Sequence, residues 1–226
     1  MARGADEPLR VGVLASGEGT NLQALLDTVH GNEARVVAVA ADKPTAGALR
    51  RARDAGVPTA VFTIGDFPDR GARDAAIADW LVECDVELVV LAGYMALLTS
   101  PFLSRFPDAV VNIHPSLLPA FPGVRAIEQA IDYGVKVFGV TVHFVLDDGG
   151  VDTGPVIVQG AIELPDATDP AAVHAALRPL EHALLPQAVR LIARGAWRWC
   201  GASPRRSWSS TSSSAPPAAR ARSSRR

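Results

Sequence analysis

The residues best placed to do chemistry in this 226-residue chain are Asn112 and His114, in Val111-Asn-Ile-His-Pro-Ser-Leu-Leu-Pro119, at the end of a short apolar run. Alternate residues of an extended strand point the same way, so the carboxamide and the imidazole share a side. Together they can stabilise a developing oxyanion and exchange a proton. Taken alone, a structural histidine bonded to backbone is the commoner use of such a position. A carboxylate for that histidine stands in Val151-Asp152-Thr-Gly-Pro155. There it can orient an imidazole and favour its charged form, although aspartate beside glycine more often closes an Asx turn. A third feature is Ser16-Gly-Glu-Gly-Thr-Asn21, between a strand and a helix. Glycines allow close backbone approach and free amides at a helix start attract anions, so this is a candidate phosphate cradle. It lacks the dinucleotide fingerprint and the P-loop lysine, and the competing reading is a glycine turn with Thr20 or Asn21 as the N-cap. His143 falls within an alternating strand and reads as a core or hydrogen-bonded residue. His30, His174 and His182 occupy helical positions without partners at metal-ligand spacing, so no metal site is expected.

These residues need a frame, and the apolar pattern supplies one. Short runs at Leu9–Ala15, Val36–Ala41, Thr59–Thr63, Leu88–Ala92 and Ala109–Ile113 read as strands. They alternate with helical stretches at Asn21–His30, Ala46–Ala55, Arg70–Glu83, a short Pro101–Phe106 and Ile127–Tyr133. That rhythm predicts an α/β fold: an open, mostly parallel twisted sheet with helices on both faces. The last portion differs. Gly139–Leu146 and Pro155–Ile162 follow without a helix between them, so an antiparallel pairing is expected across the 147–154 loop. Pro170–Arg194 reads as a long helix that Pro179 and Pro186 kink or break, and Ala196–Trp199 as a final edge strand. The strand ends where Asn112 and His114 sit are where open α/β sheets hold ligands.

Composition narrows the classes. With 48% hydrophobic and 20% charged residues the chain is an ordinary globular one. Two cysteines make neither a disulfide framework nor a metal site. No apolar run approaches the roughly 20 residues that span a bilayer, and the polar start lacks a signal peptide's apolar region, so no membrane partner and a cytoplasmic location are expected. Residues 204–226 hold six arginines and no acid, leaving −8 for residues 1–203 once these six charges are taken from the whole-chain −2. One core-bearing domain is thus expected over 1–203, followed by a disordered Arg/Ser-rich tail over 204–226. The tail is also what a GC-rich gene gives when read out of frame. The overall charge supplies no reason to expect nucleic acid; small-molecule substrates are expected, and the sequence leaves monomer and homodimer both open.

Five ordered motifs then carry a resemblance: Ser-Gly-x-Gly-Thr-Asn-Leu-Gln-Ala at 16–24, Leu91-Ala-Gly-Tyr-Met95, Asn112–Pro119, Thr141-Val-His-Phe-Val145 and Asp152-Thr-Gly-Pro155. From about Leu9 to Trp199 the chain resembles the folate-dependent phosphoribosylglycinamide formyltransferases of purine synthesis. The resemblance implies a Rossmann-like fold of formyltransferase type, and transfer of a formyl group from 10-formyltetrahydrofolate, as co-substrate and without metal, to the amine of glycinamide ribonucleotide. It implies a catalytic group of Asn112, His114 and Asp152, and phosphate binding by Gly19, Thr20 and Asn21. Arg178 and Glu181 match positions that meet phosphate and ribose hydroxyls. Arg70 matches an arginine near the folate glutamate tail, and Met95, Ala96, Leu97, Leu98 and Asp148 match segments that hold the pterin. The chain departs from many relatives in having Ala96 in place of arginine, Arg125 in place of histidine, a loop before Asp152 that is two residues longer, and its own tail. Formyltetrahydrofolate deformylase and methionyl-tRNA formyltransferase are the alternatives on the same fold. The former usually has a second histidine where this chain has Pro115, and the latter carries a C-terminal tRNA-binding domain for which this chain is expected to have no room.

Overall fold

The computed structural model describes residues 7–147 and 150–196. The expected edge strand at Ala196–Trp199, Asp148 and the 204–226 tail therefore lie wholly or largely outside the described residues. The strands are β1 (Leu9–Ala15), β2 (Ala34–Ala41), β3 (Thr59–Val61), β4 (Leu88–Leu91), β5 (Val110–His114), β6 (Val137–Phe144) and β7 (Val156–Glu163). The helices are α1 (Thr20–Thr28), α2 (Gly47–Asp54), α3 (Arg70–Glu83), α4 (Ser100–Leu103), α5 (Ala126–Tyr133) and α6 (Pro170–Ala193). All seven strands join one sheet in the order β3-β2-β1-β4-β5-β6-β7. Pairings from β3 through β5 are parallel, while β5–β6 and β6–β7 are antiparallel. The expected α/β architecture with an antiparallel C-terminal portion is the one observed.

Alternation along the strands divides the interior into two layers. Val11, Val13 and Ala15 of β1, Val90 of β4, Val111 and Ile113 of β5 and Val140 of β6 face α1, α2, α5 and α6. Leu14, Val89, Leu91 and Val110 point the other way, onto Ile77, Ala78 and Leu81 of α3 and onto Phe102 and Leu103 of α4. A sheet buried on both faces explains why its parallel strands read as continuous apolar runs.

Two local expectations are corrected. Neither Thr20 nor Asn21 caps α1: the N-cap is Gly19, at φ 74°, and no side chain closes the helix start. Nor do Pro179 and Pro186 break α6, which runs unbroken for 24 residues from an Asp169 cap. Each proline removes one i→i−4 hydrogen bond, but Val173, Leu177, Leu184, Leu185, Ala188 and Val189 are all buried against the sheet and its neighbours. Tertiary packing of that face outweighs the local propensity.

Candidate active site

The order of strands reverses between β1 and β4, because β2 and β3 lie to one side and β5 to β7 to the other. The crevice beyond the carboxyl ends of strands at such a switch point is where open sheets take ligands. Across the sheet, Leu14 is level with Leu91, Leu91 with Asn112, and Asn112 with His143. His114 lies opposite Thr141. Directly opposed residues of an antiparallel pair share a face, so Asn112, His114, Thr141 and His143 all point away from the first core layer. This stretch of sheet is covered by the loops after β5 and β6. Thr141, with no exposed surface, pins the first loop: its hydroxyl donates to the Ser116 carbonyl at 2.7 Å and accepts from the Leu118 amide at 3.1 Å. Gln159 of β7 adds bonds to the Leu118 carbonyl and to the Thr141 hydroxyl.

The pinned loop curls back over the site, so that its backbone meets the side chains below. The Phe121 carbonyl lies 2.9 Å from His114 Nε2, and the Gly123 amide donates to Asp152 Oδ2 at 2.7 Å. Asp152 enters from the loop before β7 in the left-handed region, at φ 56°, a conformation uncommon outside glycine but more frequent for Asp and Asn. Its Oδ2 lies 3.4 Å from His114 Nδ1 and its Oδ1 lies 3.4 Å from His143 Nε2. Asn112 Nδ2 stands between them, 3.4 Å from Asp152 Oδ1 and 3.3 Å from His143 Nε2. Gly154 permits this approach: a Cβ there would sit 1.8 Å from the Phe144 carbonyl oxygen.

The partners constrain where protons sit. A carbonyl only accepts, so His114 Nε2 carries hydrogen toward Phe121, and the contact of Nδ1 with Asp152 is attractive when Nδ1 is protonated as well. His143 Nδ1, 2.9 Å from the Phe144 carbonyl, likewise carries hydrogen. Its Nε2 then either donates to Asp152 or, when bare, accepts from Asn112. On the Asp152 carboxyl, burial is the largest influence and pushes the pKa up. The hydrogen bond with His143, the Gly123 amide and the positive charge of the two imidazoles together outweigh it and hold the group below the ordinary carboxylate range. His143 is thus both a core residue, 1% exposed, and a member of this cluster. Its expected core role gave no hint of the second; the signal was its place in Thr141–Val145, opposite Asn112.

The glycine loop lies two strands away from this cluster, roughly 10 Å at ordinary strand spacing. At Gly19 a Cβ would lie 2.5 Å from the Ala48 Cα, so α2 packs directly on the loop. Gly17 accepts from the Ala48 amide, and Arg51 Nε donates to the Glu18 carbonyl at 2.8 Å. Thr20 and Asn21 begin α1, whose first amides have no side-chain cap and so present partial positive charge. Asn21 Nδ2 donates to Glu181 Oε2 at 3.0 Å, which joins two residues 160 apart in the chain. Glu181 is 6% exposed, and Arg178, one turn earlier on α6, is exposed.

The segment after β4 is held by its backbone. The Met95 amide donates to Ser16 Oγ at 3.1 Å, and Arg70 Nη2 donates to the Leu97 carbonyl at 2.5 Å. Met95 and Leu97 extend their side chains outward, 71% and 57% exposed, whereas Ala96 and Leu98 pack on the second core layer. Val151, beside Asp152, is also exposed, and Ser100 Oγ ties α4 to Asp147 at 2.7 Å. Arg125, at φ 61°, faces Glu128 at 3.6 Å. Among the described residues, no group of three or more His, Cys, Asp and Glu is arranged to hold a metal ion, and no helix is long and apolar enough to cross a membrane.

Comparison with known proteins bears on this geometry. Residues 9–189 match the formyl transferase family. Over 187 residues the chain is 43% identical to the phosphoribosylglycinamide formyltransferase of Mycobacterium tuberculosis, covering 82% of this chain and 86% of that protein. It is 42% identical over 190 residues to the trifunctional purine biosynthetic protein adenosine-3 of Drosophila melanogaster, covering 82% of this chain but only 14% of that much longer protein. Among solved structures, glycinamide ribonucleotide transformylase 1 from Symbiobacterium toebii superposes with a TM-score of 0.79 at 45% identity, covering 85% of this chain and 90% of that one.

Proposed function

The chain belongs to the formyl transferase family, and from that premise we propose that it transfers the formyl group of 10-formyltetrahydrofolate to the amine of glycinamide ribonucleotide. The products are formylglycinamide ribonucleotide and tetrahydrofolate, a step of de novo purine synthesis that we place in the cytoplasm. The observation that carries the reading is the convergence of Asn112 and His114 on Asp152, each 3.4 Å from one of its carboxylate oxygens, two strands from a helix start that no side chain caps. The relatives bearing the same activity in their names support it.

The residues divide the work by their chemistry. Gly19, Thr20 and Asn21 offer backbone amides to the ribonucleotide phosphate, Arg178 adds a cation, and Glu181 accepts from ribose hydroxyls. Met95, Ala96, Leu97, Leu98 and Val151 give the pterin an apolar seat, and Arg70 lies at hand for the anionic glutamate tail. The exposed Met95 and Leu97 side chains suit a flat, largely apolar ring; Asp148 belongs to the same proposed seat but lies outside the described residues.

Attack of the neutral amine on the formyl carbon makes a tetrahedral centre with an oxyanion. Asn112 supplies an amide donor and His114 supplies positive charge. In the present arrangement both nitrogens of His114 are engaged, by Phe121 and by Asp152. Direct donation to the oxyanion therefore requires release of the Phe121 carbonyl, a step that the order of residues in the sequence does not suggest. Asp152 holds the imidazole of His114 through its Nδ1 and receives the amine proton on its way to the departing folate nitrogen. Binding two substrates in register supplies the entropic part.

Replacing Asn112 or His114 by alanine, or Asp152 by asparagine, is expected to lower kcat about 10²- to 10³-fold, read by tetrahydrofolate release with both substrates present. Omitting the ribonucleotide is expected to stop release; release without it would make the chain a deformylase. Near-normal turnover by His114→Ala would sink the assigned role.

A further inference from the structure

Asp74, on the first turns of α3, is fully buried and takes no part in the chemistry above. Its carboxylate is saturated. Oδ1 accepts from Arg73 Nε at 3.0 Å and Nη2 at 2.7 Å, while Oδ2 accepts from the Thr99 amide and the Thr99 hydroxyl, each at 2.9 Å. The Arg73 side chain that neutralises it is itself only 4% exposed. A buried ion pair is weak evidence of net stabilisation, because desolvation offsets much of the attraction. What this pair does provide is a fixed acceptor at one place, and the group it holds is the end of the segment after β4.

That segment is gripped at three points. Ser16 Oγ takes the Met95 amide at its start, Arg70 takes the Leu97 carbonyl in the middle, and Asp74 takes the Thr99 amide and hydroxyl at its end. Two of the three come from successive turns of α3. Between the anchors the backbone is fixed, yet Met95 and Leu97 project outward. Exposed apolar side chains on a backbone tied down from beneath form a preorganised platform, which spares a ligand the cost of ordering it.

We infer that Asp74 is a positioning residue for the folate-binding segment: through Thr99 it sets the height and register of the Met95–Leu98 platform, and so tunes affinity for the formyl donor and not for the ribonucleotide. The inference rests on the reading of Met95–Leu98 as the pterin seat. The glycine loop and Glu181 share no hydrogen bond with Asp74 or Thr99 among those of the described residues, so the ribonucleotide side should be indifferent to the change.

Thr99→Val tests this, because it removes one hydroxyl donor at constant shape and leaves the backbone bond in place. Tetrahydrofolate binding to the full chain, measured by calorimetry, is expected to weaken roughly three- to tenfold, with the KM for 10-formyltetrahydrofolate rising in parallel. The KM for glycinamide ribonucleotide and the kcat at saturating donor should stay within about twofold. Thr99→Ser, which keeps the hydroxyl, should restore wild-type binding. Asp74→Asn should show the same split more strongly; if it does not fold, the Thr99 pair decides. Wild-type tetrahydrofolate affinity in Thr99→Val, or an equal rise in the ribonucleotide KM, overturns the inference while the functional reading stands. A wild-type chain that neither binds tetrahydrofolate nor transfers formyl overturns both.

Discussion

At the scale of the residue, the site's character comes from how few partners each polar group has to choose from. Asp152 receives the Gly123 amide on one oxygen and faces two imidazoles and a carboxamide. Burial alone would push its carboxyl up, but these neighbours hold it below the ordinary value of 3.8. A depressed native pKa means that folding favours the ionised form, so the contribution to stability is fully present above the unfolded pKa. It is lost as pH falls through the lower native one. The difference in unfolding free energy between the wild type and Asp152→Asn is therefore expected to shrink below about pH 4 relative to its value at about pH 5; urea denaturation across that range measures it. A difference that grew on acidification would mean that the carboxyl is protonated in the native protein. Asn112, His114 and Asp152 were legible in the sequence because each is a chemically distinct side chain in a recognisable setting. Their backbone partners were not: the Phe121 carbonyl and the Gly123 amide carry no residue-type signal, and only the curled loop brings them in. His143 was half legible. Its alternating strand announced burial, while its second role depends on a register that places it opposite Asn112.

At the scale of the element, the strands and most helices followed from apolar periodicity. The α3 span was the one expected, since its 3.6-residue pattern begins behind an Asp69 cap that accepts from the Ala72 amide. Where the reading missed, a competing force had won: packing over proline in α6, and close α2 packing at Gly19 over side-chain capping in α1. Asp74 went unmarked for a related reason, since one acid on an amphipathic helix looks like any other until tertiary contacts bury it. The turn that delivers Asp152 is the most exacting of these elements. At Gly154 the Phe144 carbonyl oxygen would lie 1.8 Å from a Cβ, and that carbonyl also accepts from His143 Nδ1. Backbone cannot yield as a flexible side chain can. Gly154→Ala is accordingly expected to displace the Asp152 turn, to destabilise the protein by about 1–3 kcal/mol, and to lower kcat about a hundredfold or more. Thermal melting and formyl-transfer assays on the same preparation check both. An active, undisturbed Gly154→Ala protein would show that Asp152 does not depend on this close approach.

At the scale of the whole molecule, the chain brings residues from three distant stretches to one edge of one sheet. β1 and α1 bring the glycine loop, β4 the platform, and the antiparallel portion the Asn112–Asp152 cluster. α6 then returns along α1 to set Glu181 against Asn21, and its far end bonds the other side of the domain through Arg190 and Arg194 to Glu33. Every site residue so assembled falls between Ser16 and Glu181, inside the 9–189 stretch that matches the family. Residues 204–226 contribute six positive charges to a remainder carrying −8. If those charges served to draw in anionic substrates, their removal would lower kcat/KM most at low ionic strength, where the Debye length is about 30 Å, and little at about 0.15 M, where it is near 8 Å. On the proposed reading, Arg70, Arg178 and the start of α1 supply the positive charge for both substrates, which leaves no part for the tail. Deleting residues 204–226 is thus expected to leave kcat, both KM values and the melting temperature unchanged at about 0.01 M and about 0.15 M salt alike. A loss of kcat/KM confined to low salt would instead assign the tail an electrostatic role in substrate capture, and a loss at both would make it part of the folded enzyme.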